Sequence, residues 1–344
     1  LSYADPSGSN SVAATGVNLR GLGPDATLVL VNGRRMASTG SRGEFADVSA
    51  LPSAAVERVD VLLDGASALY GSDAVAGVVN VIMRRSFDGQ ETRMRLGAAK
   101  GGAEDVTVSH LAGRSWSSGS ALASWEYQRV NPLGAGDRAF TADGDLRPFG
   151  GSDRRAVYAS PGNVLAFDPA VGGYVSAFAI RPGGAGYASA PADFAPGQAN
   201  LQSQLLGVDL LPETERHSAY GRVRQSVGER LDLSADVRFS RREYAFDNAA
   251  TVTIFQVSAA NPFYVSPTGA PSQLIGYSFY RDLGTSRQEG SSRSFGVTAG
   301  GAYDFGGGWS LDGYLAFAEE RGESLTTGLV NSVFLNEALG NTPD

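Results

Sequence analysis

The 344-residue chain has no cysteine and only two histidines, His110 and His217. The first absence excludes a disulfide scaffold, a Cys-ligated zinc site and a thiol nucleophile. The second leaves too few ligands for a multi-His metal centre, so neither a metal nor a cofactor is expected. Base is scarce as well. The 28 Lys and Arg stand against 36 Asp and Glu, a net charge of -8, and a surface that grips phosphates needs the opposite balance. Nucleic acid is therefore not an expected partner. No apolar run reaches the roughly 18 residues of a membrane helix. That leaves open a membrane protein built of strands, which are short and alternate. The chain opens at Leu1 with neither Met nor a basic and apolar leader, so we read the N-terminus as trimmed.

What is present is glycine, 45 residues, with 16 Phe and 13 Tyr. With alternating strands this is a β-barrel composition, and it also suits a soluble sandwich or solenoid. The character changes near residue 90. Before it, the apolar run 26–31 ends at Asn32-Gly33, a strong hairpin signal. Pro52-Ser53-Ala54-Ala55 reads as a short helical start with Pro in its first turn. Residues 59–63 read as a strand, 67–70 as one helical turn, and Gly77 leads into a strand over 78–83. This is a small α+β unit.

After residue 90 the period becomes two. Leu231, Leu233, Ala235, Val237 and Phe239 face one way; Asp232, Ser234, Asp236, Arg238 and Ser240 face the other. Residues 309–317, 120–128 and 295–303 repeat the pattern, and 93–99, 106–113 and 218–225 carry it more weakly. About seven strands of roughly nine to eleven residues result, the length that a tilted strand needs to cross a bilayer. Short connections (114–119, 226–230, 304–308) alternate with very long ones (130–216, 245–291) rich in Gly, Pro and Ala. Outer-membrane barrels have this asymmetry. A soluble antiparallel sheet with one buried face accounts for the alternation equally well, though not for irregular stretches of such length.

Four blocks come in fixed order: Asn18-Leu19-Arg20-Gly21-Leu22-Gly23, then 27–35 (TLVLVNGRR), then 51–61 (LPSAAVERVDV), then 64–82 (DGASALYGSDAVAGVVNVI). In this order and spacing they resemble the plug domain of TonB-dependent outer-membrane receptors. The resemblance covers about residues 1–85, and the strand pattern to residue 344 fits the barrel that follows a plug. It implies a mainly β fold: a small α+β plug domain (1–85, truncated at its N-terminus), then antiparallel transmembrane β-barrel strands forming a partial barrel (86–344). The family barrel has about 22 strands. The resemblance also implies function. Such receptors take up a scarce ligand (siderophore, cobalamin, oligosaccharide or another nutrient) into the periplasm. They are driven by the inner-membrane TonB–ExbB–ExbD complex, which pulls a TonB box that would lie upstream of Leu1. Expected partners are that complex, a small-molecule or oligosaccharide ligand and outer-membrane lipid. The alternative is a structural or adhesive outer-membrane β-protein without transport.

Site residues follow from the same match. The plug apices would be 7–10, 23–25 and 36–45, so Ser7, Asn10, Asp25, Thr39, Ser41, Arg42, Glu44 and Phe45 are the candidate ligand contacts. The third apex offers hydroxyls, a guanidinium fork, a carboxylate and a ring in one turn, suited to a polar ligand. Phe263 and Tyr264 are candidates for closing over it from an outer loop. Arg20 matches the family residue that joins plug to barrel through ionic contacts with barrel Glu side chains, which would lie on later strands. The family often has a basic residue before Gly65; Asp64 stands there instead. Gly21, Gly33, Gly65, Gly71 and Gly77 are read as structural, placed for positive φ or close approach.

Catalysis is not expected. The GxG at Gly21 lacks its third Gly, since Ala26 stands there, and it precedes a strand instead of opening a helix. Gly65-Ala66-Ser67-Ala68-Leu69 misses the nucleophile elbow by its last residue. Asp143-Gly144-Asp145 lacks the EF-hand spacing and terminal Glu and reads as a solvated loop.

Overall fold

A computed structural model of the chain describes residue 10 and residues 12–63, 67–181 and 190–341. Ser7, Asp64 and Gly65 lie outside the described residues. In chain order the strands are β1 (Thr27–Val31), β2 (Arg34–Arg35), β3 (Val56–Leu62), β4 (Gly77–Met83), β5 (Gly89–Ala99), β6 (Gly102–Trp116), β7 (Gly119–Val130), β8 (Leu133–Gly134), β9 (Asn163–Asp168), β10 (Gly173–Ile180), β11 (Phe194–Pro196), β12 (Asp209–Leu211), β13 (Glu213–Val227), β14 (Leu231–Asn248), β15 (Val252–Ser258), β16 (Ser272–Ser278), β17 (Ser286–Gly306) and β18 (Trp309–Thr327).

The N-terminal part is a four-stranded sheet in the order β2-β1-β4-β3. Asn32 and Gly33 turn β1 into β2, both with positive φ (52° and 76°), as a two-residue hairpin of matching twist requires. β1 lies parallel to β4, with Val29 opposite Val79. β1 and most of β4 are buried, which fits their continuous apolar runs. The expected helical pieces form, as an α-turn at Ser67–Tyr70 and a 3-10 turn at Ser53–Ala55. Gly77 has no room for a side chain. Its φ is 139°, and a Cβ would come within 2.5 Å of the Leu62 carbonyl oxygen.

The alternating segments form one seven-stranded sheet, β18-β17-β14-β13-β7-β6-β5. With the excursions between them set aside, the strands follow chain order. Among the described residues no pairing joins β5 to β18, so the sheet is open. The strands are longer than alternation suggested: β14 has 18 residues and β17 has 21. At about 3.3 Å per residue such a ladder far exceeds the ~30 Å hydrocarbon layer. The extra turns are polar, as in Arg241-Arg242-Glu243, so no apolar period marks them.

The sheet has its apolar face outward. On β14, Val237 and Phe239 are exposed while Asp236, Arg238, Ser240 and Arg242 are buried. On β7, Trp125 is exposed and Glu126 buried. A soluble sheet would show the reverse; a lipid-facing wall shows this. Trp116, Tyr303, Phe305 and Trp309, all exposed, lie beside the tight turns, the place where outer-membrane barrels carry an aromatic girdle. The long connections all leave from the opposite end of the strands.

Those connections are not irregular, contrary to the expectation from composition. Residues 133–210, 246–288 and 326–344 form a compact unit of their own, and 1–132, 211–245 and 289–325 form the other. The first of these has a five-stranded sheet, β11-β10-β9-β16-β15, with β12 paired to β8 separately. Its core is Val164, Phe194 and Ile275. The joining pair is β9 with β16, where Val164 faces Ile275, and each strand comes from a different connection.

Candidate functional site

The N-terminal sheet packs on the inner face of the wall through one apolar cluster. Val31, Leu51, Ala54, Ala55, Val81 and Met83 meet Leu111 of β6, Leu122 of β7 and Tyr220 of β13. Two polar anchors flank it. Glu126 accepts hydrogen bonds from the Ser53 N–H (3.0 Å) and hydroxyl, and from Arg216 (3.1 Å). Arg242 pairs with Asp47 and donates to the Ser49 hydroxyl (2.5 Å) and the Val12 carbonyl (3.2 Å). Asp47 also accepts from the N–H groups of Thr15 and Ser49, each at 3.0 Å, and from the Ser49 hydroxyl at 2.6 Å. Burial alone would raise the Asp47 carboxyl. Arg242 and these donors outweigh it and hold the group below the usual carboxylate range.

The 36–45 segment closes as a loop through a Thr39–Phe45 bridge, with the Thr39 N–H on the Phe45 carbonyl at 2.7 Å. That bridge turns both side chains inward, so neither is presented to solvent as the sequence suggested. Thr39 is 2% exposed and donates to Glu320 of β18 at 2.8 Å; Ser292 of β17 donates to the same oxygen at 2.8 Å. Phe45 is 5% exposed and lies against Gly16, whose backbone also abuts Pro24. The second and third apices are thereby neighbours. Ser41 and Arg42 are exposed at the tip, and Arg42 lies 3.6 Å from Glu44. Asp25 is exposed. Asn10 is spent on a local loop, its amide accepting from the Ala14 N–H (2.8 Å) and donating to the Ala14 carbonyl (2.9 Å). Arg20 is exposed in a turn at φ 59°. Gly21 and Gly71 have positive φ with open space around them.

Phe263 is 76% exposed, while Tyr264 donates to the Ala270 carbonyl at 2.6 Å. They line a 220 Å³ pocket with Phe194, Phe255, Ile275 and Tyr277. Burial pushes the Tyr277 hydroxyl above its ordinary pKa. At the acidic turn, Asp145 is gripped by Arg147 (2.5 Å) and Asp153 by Arg155 (2.7 Å). The Arg155 fork holds Asp153 well below the usual range. These carboxylates are answered by guanidinium, and among the described residues no group of three potential metal ligands occurs.

Arg242, Asp47, Glu126, Arg216, Ser53 and Glu320 were not singled out from sequence. One signal could have found Glu126, a charged residue on the inward parity of a strand whose other face carries Trp125 and Tyr127.

Residues 2–78 match the family model described as TonB-dependent Receptor Plug Domain. The chain is 42% identical over 80 residues to the ferric enterobactin receptor PirA of Pseudomonas aeruginosa, 21% of this chain and 11% of that protein. It is 41% identical over 76 residues to an iron-regulated outer membrane virulence protein of Vibrio cholerae, 21% of this chain and 12% of that one. The aligned stretch is thus a small part of these relatives' own length. A solved mutant of the ferric enterobactin receptor of P. aeruginosa, in complex with enterobactin, aligns over 88% of this chain and 34% of its own, at 17% identity and a TM-score of 0.47. Over residues 2–78, then, the chain is similar to the plug domain of TonB-dependent receptors.

Proposed function

We propose that this chain is the plug (1–85) and the adjoining wall strands with their long outward connections (86–344) of a receptor that imports a ferric siderophore across the outer membrane. The energy would come from the TonB–ExbB–ExbD complex, acting on a TonB box outside the described residues. The observation that carries the reading is the sequence match over the plug, 42% identity to a ferric enterobactin receptor. The geometry supports it in two ways. A plug with no transport role would have little reason to be held by separable polar anchors. An iron–catecholate complex is an anion with aromatic rings, and the exposed Arg42 and the aromatic pocket at Phe263 and Tyr264 suit that chemistry.

Within this reading the ligand touches Ser41, Arg42, Glu44 and Asp25 on the plug. Thr39 and Phe45 hold the loop's shape. Arg20 contributes an ionic plug–wall contact, as the resemblance implies. The test uses the full-length receptor in iron-starved cells that lack their own enterobactin receptors. Uptake of radiolabelled ferric enterobactin should require both the receptor and TonB. Import that persists without TonB would refute the mechanism. A receptor that restores growth only on another iron complex would keep the class and remove the ligand.

A further inference from the structure

Asn32-Gly33 is the only Asn-Gly pair in the sequence, and turning β1 into β2 does not exhaust its chemistry. Asn is a thermolabile residue, and a following Gly lacks the side chain that would shield the attacking backbone nitrogen. In the reaction open to the pair, the Gly33 nitrogen attacks Asn32 Cγ. Its proton ends on the departing Nδ2, which leaves as ammonia, and a five-membered imide remains. Water then adds to either imide carbonyl and gives aspartate or isoaspartate. Water is the sole co-reactant, and it reaches the pair, since Gly33 is exposed and Asn32 half-buried.

The fold holds both reacting ends. The Gly33 N–H donates to Asn80 Oδ1 at 2.9 Å, and Asn32 Oδ1 accepts from the Met83 N–H at 2.9 Å. Both donors are backbone N–H groups, so each carboxamide must present its oxygen. The Asn32 N–H itself donates to the Val81 carbonyl at 2.9 Å. The Asn32 side chain thus carries the parallel β1–β4 ladder one step past the Val31–Val81 pair. Attack requires that Met83 release the carboxamide and that Asn80 release the nitrogen. An accepting oxygen on Gly33 also favours the protonated, unreactive amide. The leaving group, Asn32 Nδ2, is shielded from solvent.

The main chain has no slack for the product. Isoaspartate adds a methylene to the backbone just before β2, which is two residues long. Arg35 of β2 faces Leu30 of β1 and is tied to Asp73 (2.5 Å) and to the Tyr70 carbonyl (2.7 Å). A lengthened turn takes Arg35 out of that register and loosens its tie to the Ser67–Tyr70 turn.

We propose that Asn32-Gly33 is a guarded modification site. Asn80 and the Met83 N–H suppress imide formation while the β1–β2 turn lies on β4, and each opening of that turn exposes the pair to conversion. The converted fraction is then a chemical record of local opening. Guarding of this kind goes beyond the transport function proposed above and does not depend on it.

The full-length receptor, held in detergent at mildly alkaline pH, is sampled over days and its peptides are weighed. Conversion adds one mass unit to the peptide that contains Asn32. The folded parent should convert about tenfold or more slowly than the same chain in urea. Asn80→Ala should raise the folded rate about fivefold or more and leave the rate in urea unchanged. Asn80→Val repeats the test with a strand former in β4 should the alanine variant not fold. Leu122→Ala weakens the plug elsewhere and keeps both hydrogen bonds, so its rate should stay within about twofold of the parent. A folded parent that converts as fast as the chain in urea would overturn the guard. So would Leu122→Ala matching the Asn80 variants, because the rate would then follow unfolding of the whole plug.

Discussion

The Arg242–Asp47 pair offers the sharpest test of how the plug is held. Arg242→Ala removes a guanidinium from a carboxylate that is 4% exposed. Breaking a buried ion pair from one side costs about 3–5 kcal/mol. The hydrogen bonds from Thr15 and Ser49 remain on Asp47, which argues for the lower end, about 3 kcal/mol. A domain the size of the plug unfolds in urea with a slope of roughly 1 kcal/mol per molar, so the midpoint should fall by about 3 M. The assay is urea unfolding of the plug in the full-length receptor, followed by a dye on Ser41→Cys at the exposed tip. The pH dependence carries a sign. In the native chain the Asp47 pKa is depressed, so its stabilisation is complete above the ordinary Asp value of about 3.9 and disappears as pH falls through the lower folded value. Without Arg242, burial acts with its chief counterweight gone and the Asp47 pKa rises. The penalty of Arg242→Ala should then be largest at pH 7 and shrink toward pH 4. A midpoint shift below about 0.5 M, or a penalty that grows on acidification, would refute this account of the anchor.

Three further outcomes follow from other parts of the fold. Leu122→Ala opens a hole in the apolar cluster and should destabilise the plug in the same assay by about 2–5 kcal/mol, with no dependence on pH between 4 and 7. Val237→Arg puts charge on the lipid face and should cost roughly 2–4 kcal/mol near midplane, read as lost folding into vesicles, whereas Ser234→Arg on the inner face should fold. Gly77→Ala must fit a Cβ within 2.5 Å of the Leu62 oxygen and should abolish a stable plug; Gly33→Asn, at φ 76° in open space, should change the unfolding free energy by no more than about 1 kcal/mol.

The strands of the wall were legible because lipid on one side and plug on the other impose a strict period of two, and Val237 beside Asp236 cannot hide that. The plug strands were legible from apolar runs and from turns such as Asn32-Gly33. What alternation missed lies beyond the bilayer. Arg242 and Glu320 sit where strands continue past the apolar band, so no period announces them. The sheet β9–β10–β11–β15–β16 also went unread. Its strands are short and only partly buried, and the glycines and prolines around them resemble those of a loop. The third apex shows the opposite error. Its residue types suggested a ligand surface, yet the bridge between Thr39 and Phe45 spends both inside. Composition names what a loop could offer, and backbone pairing decides which side it is offered to.

The pairing of β9 with β16 joins residues about a hundred positions apart, from two excursions that the chain makes separately. Left alone, each excursion would pay the entropy of a long tethered loop. Once paired, they hold one another, and neither needs an unbroken backbone to stay in place. A cut in the exposed turn 169–172, inside the first excursion, would break the chain without releasing either piece. β9 stays sewn to β16 on one side of the cut, and β10, with β11 beside it, stays paired to β9 from the other. A chain built this way keeps that unit together after a cleavage that would strip a simple loop, and a gel under denaturing conditions would show two fragments where the native particle shows one.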